Sequence, residues 1–220
     1  MEVKNIIFIA PPAAGKGTQA AMLKEKHNMS HISVGELLRR EVSSNSEIGN
    51  SIKGLMKEGL LVDDKIAFKL LEQRLMKDDL ANGYILDGFP RNLDQAIEYD
   101  KMVKRLNLSI DYVIYFNISR EEAMKRITGR ISCPSCGAVY NEYLDTFDKP
   151  GFCNKCFAKL RKRSDDNETT FNHRFDTYMK RTQPVIDYYQ QKGILHVVEA
   201  SGSREDTFSK IESIIGGEEK

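Results

Sequence analysis

Three groups of residues in this chain have the types and spacing to do chemistry. The first is Cys133, Cys136, Cys153 and Cys156, the only four thiols in the sequence, all within one stretch of 24 residues. Their order is C-x2-C, a 16-residue gap and C-x2-C, the spacing of a zinc ribbon, in which four thiolates surround one tetrahedral ion. Four thiolates leave no position for a substrate, so the expected role of the zinc is structural. In a chain without secretory features, disulfides are the weaker reading. The second group is Ala10-Pro11-Pro12-Ala13-Ala14-Gly15-Lys16-Gly17-Thr18. Gly15-Lys16 at a helix start brings backbone N–H groups, a positive dipole end and an ammonium to one point, which suits a polyphosphate. Against the phosphate-loop pattern G-x-x-x-x-G-K-[ST] the segment departs twice. Ala10 replaces the first glycine, and Gly17 stands where Ser or Thr is expected. A plain turn after a buried strand would account for the same residues. The third is Asp87, which ends the apolar run Tyr84-Ile85-Leu86. From there a carboxylate can reach Mg2+ or its waters beside a phosphate loop; a helix or turn cap is the alternative.

These residues need elements to hold them, and the pattern supplies a parallel sheet. Ile6 to Ala10 reads as a buried strand leading through Pro11-Pro12 into a helix from about Gly15 to His27. Tyr84-Ile85-Leu86, Tyr112 to Phe116 and Leu195 to Val198 are further short apolar runs, separated by charged stretches of helical period, and His31-Ile32 is a candidate fifth strand. This alternation predicts an α/β fold, a five-stranded parallel sheet with helices on both faces and ligands at the carboxyl ends of the strands. Two segments break the alternation. Ser33 to Asp63 is helical in pattern, with Gly35, Gly49, Gly54 and Gly59 read as breaks, and the stretch from about Arg130 to Asn167 carries every cysteine. Both read as insertions. With 220 residues, 40% hydrophobic and 30% charged, and a net charge of +1, the chain suits one core with insertions and carries no global basic field for nucleic acid. No apolar run is long enough to cross a bilayer, and a cytoplasmic enzyme or binding protein is the expectation.

The segment Gly15-Lys16-Gly17-Thr18-Gln19 resembles the G-K-G-T-Q of adenylate kinases, where a glycine before the threonine is normal. The resemblance continues through His31 to Arg39, Gly59-Leu60-Leu61-Val62, Leu86-Asp87-Gly88-Phe89-Pro90-Arg91, Gly129-Arg130 and Arg163 to Glu168. These blocks span nearly the whole chain in the family's order, and D-G-F-P-R is highly specific. The resemblance implies a P-loop core (1–32, 63–129 and 168–220), an insertion binding the nucleoside monophosphate (33–62) and a zinc-binding lid (130–167). The implied reaction is Mg2+-dependent transfer between ATP and AMP to give ADP, by a monomer. Catalysis would be alignment and charge stabilisation by Lys16, Asp87, Arg91, Arg130, Arg163 and Arg174. Arginine suits phosphate because its planar fork binds oxygens bidentately. ATP would lie against Ala13 to Thr18, Arg126, Arg130, Val139, Tyr140 and Gly202. AMP would lie against Val34, Arg39, Leu60, Leu61, Val62, Gly88, Phe89, Pro90, Arg91, Gln95, Arg163 and Arg174, the Gln95 amide facing adenine.

The chain departs from the family's G-x-P-G-x-G-K-G-T at two glycines, now Ala10 and Ala13. An alanine at Ala13 must either distort the loop or bear strain. Val34 replaces the usual Thr, which puts base selectivity in question, and Glu36 replaces the usual Asp. Other readings are a different nucleoside monophosphate kinase, a weakened nucleotide-binding homologue, and a zinc-ribbon module for nucleic acid. The last is favoured locally by Lys159, Arg161, Lys162 and Arg163.

Overall fold

Residues 4–57, 62–162 and 166–217 are described by the computed structural model. Along the chain the elements run β1 (Ile6–Ile9), α1 (Lys16–His27), β2 (Ser30–Ser33), α2 (Val34–Ser43), α3 (Glu47–Lys57), α4 (Asp64–Leu75), β3 (Tyr84–Asp87), α5 (Leu93–Arg105), β4 (Tyr112–Asn117) and α6 (Arg120–Thr128). Then follow β5 (Arg130–Ser132), β6 (Val139–Asn141), β7 (Arg161–Lys162), α7 (Glu168–Gln191), β8 (Leu195–Glu199) and α8 (Arg204–Gly216).

Alternate residues of β1 enter opposite apolar layers, which explains why its sequence is apolar throughout. Ile7 and Ile9 join one cluster, while Ile6 and Phe8 join the other, as the two-residue period of a strand covered on both faces requires. Among the described residues five parallel strands lie in the order β2-β3-β1-β4-β8. One face is covered by α2, α4, α5 and the second half of α7, and the other by α1, α6, α8 and the first half of α7. The predicted sheet and His31-Ile32 strand are therefore present. Three strands extend one residue past the apolar run, to Asp87, Asn117 and Glu199. Polar side chains thus stand along the shared carboxyl edge, where Asn117 Nδ2 donates to Glu199 Oε1 at 2.6 Å.

The helical insertion is built differently from its expectation. Gly35 lies inside α2, and Gly49 and Gly54 lie inside α3, so they are not breaks; the break falls at Ser44-Asn45-Ser46, with Asn45 at φ 53°. Gly59 lies outside the described residues. Gly49 serves close packing: a Cβ there would fall 2.0 Å from the Glu41 carbonyl oxygen on α2. Ser46 caps the turn, accepting from Gly49 N at 2.9 Å.

The cysteine segment folds apart from the large sheet. Its strands β6-β5-β7 form an antiparallel sheet over a cluster whose buried members are Cys133, Cys153 and Leu160.

Candidate active site and metal centre

β1 ends at Ile9, and the chain curves through Ala10 to Gly15 before α1 begins at Lys16. Gly15 has φ 89°, and a Cβ there would lie 3.8 Å from Arg126 Nη1. Ala13 stands at φ 65°, a left-handed angle that costs an L-residue about 1–2 kcal/mol. The alternative posed by the sequence thus resolves as strain borne by Ala13. Ala10 takes no left-handed angle and is buried in the apolar layer, as is Ala14. Gly17 and Thr18 occupy the first turn of α1; Thr18 N donates to Gly15 O at 3.0 Å, and the amides of Lys16 and Gly17 open the helix ahead of its first backbone bonds.

Beside the loop, the β1–β3 register sets Phe8 opposite Asp87, and the β2–β3 register sets Ser33 opposite Asp87. Three charged or titratable side chains meet there. Lys16 Nζ lies 3.3 Å from Asp87 Oδ1, and His31 Nε2 lies 3.4 Å from Asp87 Oδ2. Burial pushes the Asp87 carboxyl up, but the Lys16 ammonium and the His31 ring override this and bring it down to about 2. Asp87 Oδ1 is buried without an aligned hydrogen bond. An ionised carboxylate with a spare oxygen at a strand end beside a phosphate loop fits a site that holds Mg2+ through its waters. In the sequence, His31 is legible only as part of a strand. Its pairing depends on strand order, which local sequence does not encode.

After β3 the chain turns at Gly88 (φ 79°) and passes a cis Phe89-Pro90 bond. Phe89 and Pro90 are buried, Phe89 lying edge-on to Phe68 at 5.1 Å and Tyr99 at 6.0 Å. They anchor the turn, and Arg91 projects from it with Nε donating to Gly88 O at 2.9 Å. The side chain is exposed, yet lost solvation lowers its pKa, Arg174 and Arg39 adding to the effect and Asp87 opposing it. Arg39, Arg91 and Arg174 therefore share one field with Asp87. Arg39 also pairs with Glu36 at 2.9 Å.

On the same side, Val34 is buried in an apolar cluster with Leu38, which suits valine better than a hydroxyl-bearing residue. Gln95 is also buried, and both ends of its amide are engaged: Oε1 accepts from Arg91 N at 2.7 Å, and Nε2 donates to Asp64 Oδ1 at 2.5 Å. Val62 is partly buried against that cluster. Leu60, Leu61 and Arg163 lie outside the described residues.

Toward the other side, Arg126 donates to Ala200 O at 2.6 Å and Gly202 O at 3.3 Å. This brings the loop containing Gly202 next to the phosphate loop. Arg130 donates to both oxygens of Asp166, Nε to Oδ2 at 2.8 Å and Nη2 to Oδ1, and the Asp166 side chain is fully buried. Asp166 thereby ties together the two stems of the lid.

In the lid, all four Sγ atoms lie within 4.8 Å of one another. Cys133 and Cys156 are 3.4 Å apart, Cys136 and Cys153 3.6 Å. A tetrahedral zinc with bonds of about 2.3 Å separates sulfurs by about 3.8 Å, whereas a disulfide requires about 2.05 Å. The donor set and its spacing fit zinc. Two matching turns supply it. Gly137 N donates to Cys133 O at 3.0 Å, and Phe157 N donates to Cys153 O at 2.8 Å. Gly137 (φ 75°) and Phe157 (φ 57°) occupy equivalent left-handed positions. Tyr140 turns its hydroxyl to Cys153 Sγ at 3.3 Å and its ring to Phe147, while Val139 stays exposed.

No helix among the described residues is long and apolar enough to cross a membrane. Comparison with known proteins is consistent along the chain. A family model described as adenylate kinase matches residues 8–194. An adenylate kinase of Archaeoglobus fulgidus is 43% identical over 211 residues, covering 96% of this chain and 97% of its own. One from Thermodesulfovibrio yellowstonii is 41% identical over 211 residues, 96% of this chain and 98% of its own. A third, from a Geobacillus species, is 38% identical over 213 residues, covering 97% and 99%.

Proposed function

The chain belongs to the adenylate kinase family and transfers a phosphoryl group between ATP and AMP, and we propose that it does so by clamping both nucleotides at the carboxyl edge of the sheet, without a protein nucleophile. The meeting of Lys16, Asp87 and His31 under the phosphate loop, with Arg91 alongside, carries this reading. Lys16 and the amides opening α1 hold the donor phosphates. Arg39 and Arg91 hold the AMP phosphate, and Arg130, Arg163 and Arg174 neutralise the group in flight. An oxygen of the AMP phosphate attacks the γ-phosphorus in line, the bond to the β–γ bridging oxygen breaks, and both products are ADP. Mg2+, when bound, neutralises charge on the transferring phosphates; Asp87 is the carboxylate that would orient its waters.

The proposed units are a core (1–32, 63–129, 168–220), an AMP-binding insertion (33–62) and a lid (130–167). Zinc held by Cys133, Cys136, Cys153 and Cys156 cross-links the lid. Arg126, Val139, Tyr140 and Gly202 belong to the donor side. The lid excludes water, which competes with AMP as acceptor. Four reduced thiols support a cytoplasmic setting, and a site assembled from one chain's residues supports a monomer.

Selectivity for the acceptor base turns on Val34 and Gln95. Val34 is committed to the apolar cluster, and the Gln95 amide to Arg91 and Asp64; to meet adenine, Gln95 must release Asp64. A coupled assay of ADP formation from ATP with AMP, GMP, CMP and UMP tests both points. AMP should be preferred by kcat/KM; equal rates for pyrimidine monophosphates would assign a broader acceptor range, and no transfer to any of them would overturn the reading.

A further inference from the structure

The turn after β6 ties the lid to the loop before α8 through a junction that none of the roles above uses. Asp145 stands at its centre with its side chain 13% exposed. Its Oδ2 accepts from Asn141 N at 2.7 Å, and its Oδ1 pairs with Arg204 Nη2. Asn141 is itself fastened: Nδ2 donates to Arg126 O at 3.1 Å, and Oδ1 accepts from Tyr143 N at 2.9 Å. Glu142 N donates to Gly129 O at 2.7 Å. A Cβ on Gly129 would lie 2.5 Å from Asn141 Oδ1 and from Tyr143 Cδ2, so this turn sits flush against the end of α6.

On the core side, Arg204 opens α8, and its carbonyl accepts from Gln19 Nε2 at 2.8 Å. Gln19 is buried on α1, the helix that the phosphate loop leads into. The loop just before Arg204 is gripped by Arg126, which lies beside Gly15. Contacts therefore run without interruption from α1 through Arg204 and Asp145 into the lid. The core groups along these contacts adjoin the donor half of the site; Val34, Arg39 and Gln95 take no part in these bonds.

We propose that Asp145 and Arg204 form a positioning pair that sets the lid over the donor nucleotide, so that breaking it weakens the use of ATP and spares the use of AMP. This inference rests on the donor site proposed above. Arg204 is 45% exposed, and an ion pair with one exposed partner contributes little to global stability. Its partner, however, is nearly buried and fixed by Asn141, so the bridge has a defined direction. Its loss should appear in a Michaelis constant and not in a melting curve.

The test is steady-state kinetics with each nucleotide varied in turn, on Arg204→Ala, Asp145→Asn, the double variant and Arg204→Lys. Asp145→Asn keeps the acceptor for Asn141 N, so the lid turn stays formed. Each single variant should raise the KM for ATP by about two- to fivefold with the KM for AMP unchanged. The double variant should be no worse than the worse single, as coupled residues require, and Arg204→Lys should recover part of the loss. An unchanged KM for ATP, an equal rise in both constants, or additive losses in the double variant would overturn the pair. ATP affinity of Lys16→Ala, measured by calorimetry, separates the two levels of the argument. If it is undiminished, the donor site itself is misplaced; if it falls while Arg204→Ala behaves as wild type, only the pair is wrong.

Discussion

In the core, Asp87 ends β3 and Lys16 opens the helix that follows β1, strands whose side chains fill two apolar clusters; in the lid, the apolar cluster among the described residues has only Cys133, Cys153 and Leu160 as buried members. Both regions hold charged groups at fixed points. The core does so because burial on both faces of a sheet fixes strand register. A segment of lid size buries too little for that, and the four thiolates supply a cross-link instead. Setting aside asparagines, which tolerate the left-handed region, each region also carries one side chain where glycine is the ordinary choice: Ala13 in the phosphate loop and Phe157 in the second cysteine turn. The same backbone feature sits on the chemistry in one case and on the scaffold in the other.

The largest effect expected from the core alone is that of Arg91→Ala. Losing a charge-assisted phosphate contact costs roughly 1.5–3 kcal/mol, about ten- to 150-fold in kcat/KM for AMP. ATP affinity and lid metal content should stay as they are, because Arg91 projects from the β3 turn and not from the lid. Equal loss for both nucleotides would blur the division between the two halves of the site.

Acid sharpens the contrast next. The Lys16 ammonium and the His31 ring overcome burial and hold the Asp87 carboxyl down at about 2, below the 3.8 of an unperturbed aspartate. A depressed folded value means that its stabilisation is present above about pH 4 and is lost as pH falls through about 2, amounting to about 2 kcal/mol. Denaturation midpoints of Asp87→Asn should therefore converge on those of the wild type between pH 4 and 2. A constant gap across that window would show that Asp87 carries no acid-labile stabilisation of the core.

Ala13 and Phe157 give the smallest effects. Ala13 already holds its left-handed angle, so glycine relieves strain of about 1–2 kcal/mol but adds about 0.4–1 kcal/mol of unfolded-state entropy. Ala13→Gly should raise core stability by about 1 kcal/mol or less and leave ATP affinity nearly unchanged. Phe157→Gly should act in the same sense on the lid alone, since the Phe157 ring is 67% exposed and little packing is lost. Thermal melts with and without metal check both. A several-fold gain in ATP affinity for Ala13→Gly would mean that the methyl group itself obstructs the phosphates.

Much of this was legible in the chain. β1 and β4 announce themselves because strands buried on both faces must be apolar at successive positions, and the cysteine spacing carries its own geometry. Illegible were pairings set by three-dimensional order. His31 meets Asp87 only because β2 lies beside β3, and Arg130 and Asp166 are 36 positions apart. The bridge from Asp145 to Arg204 spans 59 positions. The glycines of the helical insertion misled for a related reason. Gly49 looks like a helix breaker locally, and only the approach of the Glu41 carbonyl explains why a helix retains it.

That apolar burial holds the core while the metal holds the lid is tested most directly by removing the metal. After a strong chelator has been applied and washed away, helical circular dichroism, ATP affinity and ADP formation from ATP and AMP are followed on the same sample. Zinc binding in small domains is worth about 10–16 kcal/mol of folding energy, so its loss should unfold the lid. The helical signal should largely persist, ATP affinity should fall by at least the two- to fivefold expected of the Asp145–Arg204 pair, and ADP formation should fall at least about tenfold, since charge-assisted contacts from a lid arginine are forfeited, and return on adding zinc. Loss of the helical core together with the metal, or undiminished ADP formation without it, would contradict the account.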